Sequence, residues 1–358
     1  MHNRRNFLKS GVVFCGCCLL DSAQAQQTPR KPPVIVSGKR VRTIDVHSHC
    51  HFREAGALLG DEGPRIQLPP VNGAAEAFIE IDKRLAAMDA QAVDMEVLSI
   101  NPFWYGRERD LAAQIVKLQN EKLAELCAGK PDRFAAFASL TLQAPDLAVQ
   151  ELETAVRKQG LKGAAIGAMV AGTEFSDPRF HPVWAKAEEL GIPLFIHPQG
   201  VAELGKRLSG NGWLTNTIGN PLETTIALSH LIFEGTLDKF PGLKVIAAHG
   251  GGYLPSYADR SDHACLVGPR GCNPDIKLTK TPSEYLRQLY FDSLIFSPEA
   301  IRHLVAQVGA NQVVLGSDYP YPWQLHPVDH IFASTSLSDE EKANILGNTA
   351  AKLLKIAL

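Results

Sequence analysis

Neither sign of charge dominates this sequence: 36 lysines and arginines stand against 38 aspartates and glutamates, a formal net charge of −2. Binding a phosphate backbone needs a basic excess, so nucleic acid does not fit as a partner. There is no P-loop, no glycine-rich dinucleotide fingerprint and no nucleophile elbow, which argues against ATP and redox cofactors. There is also no CxxC pair among Cys50, Cys127, Cys265 and Cys272, no internal repeat, no low-complexity tract outside one short linker, and no apolar run of the ~20 residues that a spanning helix needs. What is present is core-forming material. Of 358 residues, 45% are hydrophobic and 21% charged, so disorder and a disulfide-stapled miniprotein are both excluded. The length admits two domains, but a single α/β barrel with insertions also fills it.

The first 25 residues read as a leader rather than as part of the globule. Arg4-Arg5 precedes Asn6-Phe7-Leu8-Lys9, an apolar run over residues 11–20, and Ala23-Gln24-Ala25 at a cleavage-like spacing. This pattern resembles a twin-arginine export signal, and the expected location is the periplasm. Ten apolar residues are about half of a membrane anchor, and bulky Phe14 before Cys15 argues against lipidation. Without the leader the net charge is −4, since Arg4, Arg5, Lys9 and Asp21 leave together. Residues 26–41, with Pro29, Pro32 and Pro33, read as a polar, proline-stiffened linker, leaving 42–358 for one domain. Three of the seven cysteines lie in the leader. Of Cys50, Cys127, Cys265 and Cys272, only the last two are close enough in sequence for a local disulfide, and two reduced loop thiols explain them equally well.

From residue 42 onward, short runs rich in β-branched residues alternate with amphipathic ones. Strands are expected at residues 42–46, 95–100, 134–140, 163–168, 193–196, 244–248, 289–295 and 313–316. Helices are expected at 77–90, 107–128, 145–159, 181–190, 222–234 and 298–308. Eight such βα units predict an α/β fold, a closed (β/α)8 barrel. A last helix over 338–356 opens with Ser338-Asp339-Glu340-Glu341, the spacing of a capping box. Residues 52–76, 200–221 and 262–282 read as long loops after strands one, five and six, on the face where a barrel collects its catalytic groups.

That rim gathers ligand-type residues. His47 and His49 follow strand one two residues apart, so both imidazoles can turn to one ion. Strand five ends in His197, strand six in His249 and strand eight in Asp318. One histidine at a strand end is more often a core residue or a helix cap, but four strands ending in this way point to a metal site. Neutral imidazoles with a carboxylate suit Zn²⁺ or a similar first-row divalent ion. Strand four ends Gly167-Ala168-Met169, and Lys162 falls at the opposite mouth, so no lysine is placed to bridge two ions as a carbamate. One metal is therefore expected. Asp292, ending strand seven, reads as a support for His249 or as a cap on the next helix. Gly250-Gly251-Gly252 reads as a tight strand-to-helix turn.

The pattern Ile-Asp-Val-His-Ser-His, Phe-Ile-His-Pro-Gln, His-Gly-Gly-Gly, Gly-Ser-Asp-Tyr-Pro-Tyr-Pro and Leu346-Gly347-Asn348-Thr349-Ala350 covers residues 43–355. It resembles the amidohydrolase-related branch of the amidohydrolase superfamily, the branch of aminocarboxymuconate semialdehyde decarboxylase. The resemblance implies that His47, His49, His197 and Asp318 bind one Zn²⁺ while His249 stays off the metal as acid and base. It also implies a homodimer in which Arg260 crosses to the neighbouring subunit and holds a substrate carboxylate; a solvated helix charge explains Arg260 equally well. Two features depart from the branch: the export leader, and His51, a third alternating histidine expected to be structural or to support the ligands.

The resemblance implies non-oxidative decarboxylation of an aromatic or conjugated carboxylic acid. Asn101-Pro102-Phe103-Trp104-Tyr105 follows strand two at the catalytic rim, with Trp213, Tyr319, Tyr321 and Trp323 on other rim loops. A planar acid would stack there, with Trp104 the first candidate, although such rings also pack loops and interfaces. Two alternatives stand beside this reading: a zinc-dependent hydrolase of an ester, lactone, amide or C–C bond, and a non-catalytic binding protein on a degenerate barrel. The leader gives the first test. It should be removed after Ala25, and replacing Arg4 and Arg5 with Lys should hold the protein in the cytoplasm. Secretion indifferent to that double change contradicts the twin-arginine reading.

Overall fold

Eight parallel strands form where the β-branched runs fall: β1 Ile44–His49, β2 Met95–Ser99, β3 Phe134–Ala136, β4 Ala164–Ile166, β5 Pro193–Ile196, β6 Lys244–Ala247, β7 Tyr290–Asp292 and β8 Val313–Val314. The computed structural model describes residues 31–62 and 75–358. The leader, the start of the linker and much of the loop expected over 52–76 lie outside the described residues. β1 to β3 form one ladder, and β4 to β8 form another. Isolated parallel bridges join the two ladders at both seams, Ala138 with Ala164 and Asp45 with Leu315. The strands therefore run round in chain order with the first beside the last, as the eight βα units predict. β3 and β4 are shorter than the sequence runs because only a single bridge joins them.

Alternation along the strands makes two cores. Ile44, Val46, Met95, Val97, Phe137, Phe195, Ile246 and Val314 pack together inside the strands, joined by Ala350, Leu353 and Leu354 of the last helix. Their neighbours in sequence, such as Leu98, Leu194, Val245 and Leu315, pack outward against the helices. Burying each such side chain contributes roughly 1.5–3 kcal/mol. The helices are Ile81–Gln91, Arg109–Gly129, Pro145–Arg157, His181–Leu190, Asn220–Phe233 and Pro298–Val308. Pro145 and Pro298 each sit in the first turn of their helix, where the missing N–H costs nothing. Gly191 ends His181–Leu190 in the left-handed region. The last helix runs from Asp339 to Leu354 through a π turn at Asn344–Asn348. It opens with the expected capping box, in which the Ser338 hydroxyl accepts from the Glu341 N–H and the Glu341 carboxylate accepts from the Ser338 N–H.

The end of the expected linker is structured. Ile35–Val36 and Lys39–Arg40 form an antiparallel hairpin across Ser37 and Gly38, both at positive φ, and Val34, Val36 and Val41 are buried. A short alternating apolar run with a turn-forming pair outweighs the polar, proline-rich composition before it. Cys265 and Cys272 are joined by a disulfide, with Cα atoms 5.6 Å apart, which decides between the two explanations of that pair. Among the described residues no helix is long and apolar enough to cross a membrane. Ser338→Ala removes the cap of the last helix and should lower stability by about 1 kcal/mol. An unchanged urea midpoint counts against that cap.

Candidate metal centre

The backbone departs from regular geometry in three places to bring the rim residues together. Ile44 and Val46 face the barrel interior, and strict alternation would next bring Ser48 inward. Instead the register slips between Asp45 and Ser48, and His47 and His49 turn to the centre. His197 follows Phe195 in phase. His249 and Asp318 reach the same point through left-handed backbone, at φ 57° and 66°, a conformation that costs a non-glycine residue of order 1 kcal/mol or more. Gly316 makes the room: a Cβ there would lie 2.8 Å from Asp292 Cβ and 3.0 Å from His47 Cβ. At Gly252 a Cβ would lie 2.1 Å from the Pro221 carbonyl oxygen, so the glycine run serves the close turn expected of it.

His47, His197, His249 and Asp318 each offer a ligand atom, and these atoms all lie within 4.8 Å of one another. His49 belongs to the same cluster: its Nε2 lies 2.8 Å from Asp318 Oδ1 and 3.1 Å from His47 Nε2. Five groups thus converge where four were expected to share the ion. Hydrogen bonds fix which nitrogen of the His47 and His49 rings faces inward. Asp292 Oδ2 lies 2.6 Å from His47 Nδ1, so Nδ1–H donates and Nε2 points to the cluster. The Ser99 hydroxyl donates to the Ser48 carbonyl at 3.1 Å, so its oxygen accepts from His49 Nδ1–H, also at 3.1 Å. His49 Nε2 therefore aims a lone pair at a carboxylate oxygen, which is repulsive without a cation between them. Neither ring nitrogen of buried His197 has a hydrogen-bond partner, nor does His249 Nδ1.

The electrostatics agree. Burial opposes a charge on His47, but Asp318 and Asp292 outweigh it and raise its pKa to about 10. Because Nδ1–H is given to Asp292, a second proton on that ring would lie on Nε2, in the middle of the cluster, where a metal ion would take its place. Burial likewise opposes the Asp318 and Asp292 charges, yet the neighbouring His47 holds both below the usual carboxylate range. Burial pushes the His49 and His197 rings down, keeping them neutral. Neutral imidazoles, an ionised carboxylate and unpartnered buried nitrogens make a donor set for one divalent metal.

Support for the cluster comes from residues that the sequence gave no reason to single out. Arg84 is fully buried: Nη1 donates to Glu96 at 2.6 Å and to Ser48 Oγ at 2.8 Å, while Nη2 donates to the His49 carbonyl. Asp45 accepts from the His47 N–H at 3.0 Å and from Ser317, fastening β1 to the end of β8. Burial, then Glu96, push its pKa up to about 7. Buried Glu223 accepts from the Gln199 N–H at 2.6 Å and the Gly200 N–H at 2.5 Å, pinning the turn after His197. An arginine inside an amphipathic helix was the only visible signal among these.

Two expectations need correction. Asp292 supports the His47 ring; to His249 it offers only an acceptor for the backbone N–H, at 2.9 Å. Nor does it cap the next helix, since Ser297 does so, accepting from the Ala300 N–H. Trp104 does not line the pocket: it is fully buried, with Nε1 donating to the Leu140 carbonyl at 2.8 Å, because the run after β2 turns inward between Phe103 and Tyr105. Arg260, expected to act in a neighbouring subunit, is exposed on the helix Ala258–Asp262.

Two cavities flank the centre. The larger, about 580 Å³, ends at His249 and is walled by Trp323, Phe296, Tyr253 and Leu294, with Asn216 and Asn220 among its polar groups. Trp213 stacks on Trp323 at 5.6 Å. The smaller, about 240 Å³, lies against His49.

Residues 44–356 match the amidohydrolase family. The chain is 34% identical over 279 residues to a 2-amino-3-carboxymuconate-6-semialdehyde decarboxylase of Dictyostelium discoideum, covering 76% of each chain. It is 30% identical over 292 residues to a gamma-resorcylate decarboxylase of Rhodococcus jostii, covering 77% of this chain and 87% of that one. The crystal structure of 2,6-dihydroxybenzoate decarboxylase from Rhizobium superposes with a TM-score of 0.76 at 25% identity, over 88% of this chain and 98% of that chain. With its barrel, its histidine and aspartate cluster and these relatives, the chain belongs to the amidohydrolase family, in the aminocarboxymuconate semialdehyde decarboxylase-like branch.

Proposed function

We propose that this protein is a non-oxidative decarboxylase of an aromatic or conjugated carboxylic acid. Zinc is held by His47, His49, His197 and Asp318, and His249 acts as acid and base. The observation that carries the division of labour is the contrast between the oriented rings of His47 and His49 and the cavity-lining ring of His249. His47 and His49 are closed in with Nε2 turned inward, whereas His249 stands 3.8 Å from Asp318 Oδ2 and borders the larger cavity. Kinship with decarboxylases supports the reaction type.

In this reading the ring of the acid lies against Trp323 and Phe296, and its carboxylate is directed toward the cluster. A bound divalent ion supplies positive charge that orients the carboxylate and lowers the cost of developing negative charge. As the C–C bond breaks, its electron pair remains on the ring carbon, CO₂ departs, and His249 gives its proton to that carbon. Asp292 and Ser99 keep the His47 and His49 rings fixed meanwhile.

A homodimer and export belong to the same proposal. Tyr257, Leu266 and Val267 are exposed on the segment that carries Arg260, and a second copy covering them would bring Arg260 into a subunit boundary, able to hold a substrate carboxylate. The leader sequence and the Cys265–Cys272 disulfide both favour an oxidising compartment.

Zinc-loaded protein given substituted benzoates, muconates and lactones should release CO₂ from an acid; hydrolysis of a lactone or ester without CO₂ overturns the decarboxylase reading. His249→Ala should keep its zinc and lose on the order of 10²-fold in rate, whereas His197→Ala should lose metal as well. Loss of zinc from His249→Ala would make His249 a ligand. Asp292→Asn weakens the support of His47 and should lower metal affinity roughly 10- to 100-fold, measured by competition with a chelator. Unchanged affinity would deny Asp292 that role.

A further inference from the structure

One wall of the larger cavity leans on a residue that is not itself part of the lining. Trp323, on the loop after β8, faces the cavity, and its indole stacks on that of Trp213 with ring centroids 5.6 Å apart and planes 16° from parallel. Phe296, also in the lining, meets Trp323 at 6.1 Å and 51°. Trp213 belongs to the loop after β5, so this stack ties two loops that leave the barrel from different strands. It is not core packing, because Trp213 is 49% exposed. The backbone of Trp213 is strained as well, at φ 51°, next to Gly212 at 91° and close to Gly210 at 108°. A bulky residue persists in left-handed backbone only where its surroundings hold it there. Here the Trp213 carbonyl accepts from the Asn216 N–H at 2.9 Å and the Thr217 N–H at 3.0 Å, and the Thr217 hydroxyl lies 3.2 Å from the Gly212 carbonyl oxygen. Asn216 and Thr217 line the same cavity and belong to the π turn Thr215–Gly219. The backbone of Trp213 is thus locked to one part of the cavity wall and its ring to another.

We propose that Trp213 is a positioning residue: it holds the Trp323 ring in place at the cavity wall, so that a planar substrate meets a stacking face already formed. The inference rests on the decarboxylase reading for the placement of the acid's ring against Trp323. An indole on a surface loop has staggered rotamers to choose from, and fixing it only when the substrate arrives would subtract from affinity. The stack on Trp213 fixes it beforehand. Offset-stacked rings of this kind are attractive beyond the area they bury, which gives the strained backbone and the half-exposed indole of Trp213 a purpose that neither core packing nor the metal cluster supplies. Trp213 stands outside the lining, so its effect on the substrate passes through Trp323.

Trp213→Ala removes the stack and leaves the metal ligands untouched. At unchanged zinc content it should raise KM for the acid roughly 2- to 10-fold, the scale of one aromatic pair, and change kcat little, because the stacking face serves ground state and transition state alike. Trp213→Phe should restore most of the loss. Trp213→Gly, which suits the left-handed backbone, should match Trp213→Ala, so that a folding defect is not mistaken for a lost stack. In a Trp323→Ala background, Trp213→Ala should have no further effect. Calorimetry of 4-nitrobenzoate binding to the zinc-loaded full chain makes the same comparisons without turnover, since its electron-poor ring resists protonation. If no acid releases CO₂ but Trp213→Ala weakens 4-nitrobenzoate binding only while Trp323 is present, the positioning role stands and the decarboxylase reading falls. The role is wrong if Trp213→Ala and Trp213→Gly leave both KM and 4-nitrobenzoate affinity unchanged, if the loss persists in full without Trp323, or if Trp213→Ala turns a dimer into a monomer, which would make Trp213 an interface residue.

Discussion

Repulsion between buried groups of like polarity governs this structure. Asp292 and Asp318 carry negative charge in the interior, and the lone pairs of His47 and His49 are turned by their other hydrogen bonds toward the same point. In a low-dielectric interior such an arrangement is tolerable only around a positive charge. A proton on His47 meets that need in part, and a divalent ion meets it in full. Much of the local geometry serves this convergence: the slip in β1, the left-handed backbone at His249 and Asp318, and the missing side chain at Gly316.

Around the ligands lies a layer that takes no direct part in chemistry. Arg84 and Glu96 form a fully buried ion pair, whose desolvation offsets much of its attraction. Its value is geometric, since the same guanidinium grips the His49 carbonyl and the Ser48 hydroxyl, and sits 5.2 Å over the Tyr319 ring. One side chain thereby couples β1, β2 and the turn after β8. Asp45 does similar work between β1 and Ser317. With the ligands fixed in this way, substrate choice passes to the loops, where the two cavities differ in size and in the polarity of their walls.

The strands and their ends were legible because periodicity is a local signal, and a metal ligand at a strand end stands out against apolar neighbours. His181–Leu190 and Pro298–Val308 begin and end where their sequence does, each opened by an early proline and closed by glycine. The partners of those ligands were not legible. Asp292 lies 245 residues from His47 and Asp45 lies 272 from Ser317, distances over which no spacing rule operates. Trp104 misled because a tryptophan on a rim loop looks the same in sequence whether its ring faces solvent or turns beneath the chain. The hairpin at residues 35–40 was hidden by the prolines before it, while its turn pair Ser37-Gly38 was present to be read.

We propose one ion among His47, His49, His197 and Asp318, with His249 beside it. Anomalous diffraction from crystals of the zinc-loaded protein, recorded at the zinc edge, tests it directly. A single peak per chain is expected within bonding distance of His47 Nε2, His49 Nε2, a His197 ring nitrogen and an Asp318 oxygen, with the His249 ring outside that distance. Two peaks, or one peak bonded to His249 with His49 left out, would contradict it.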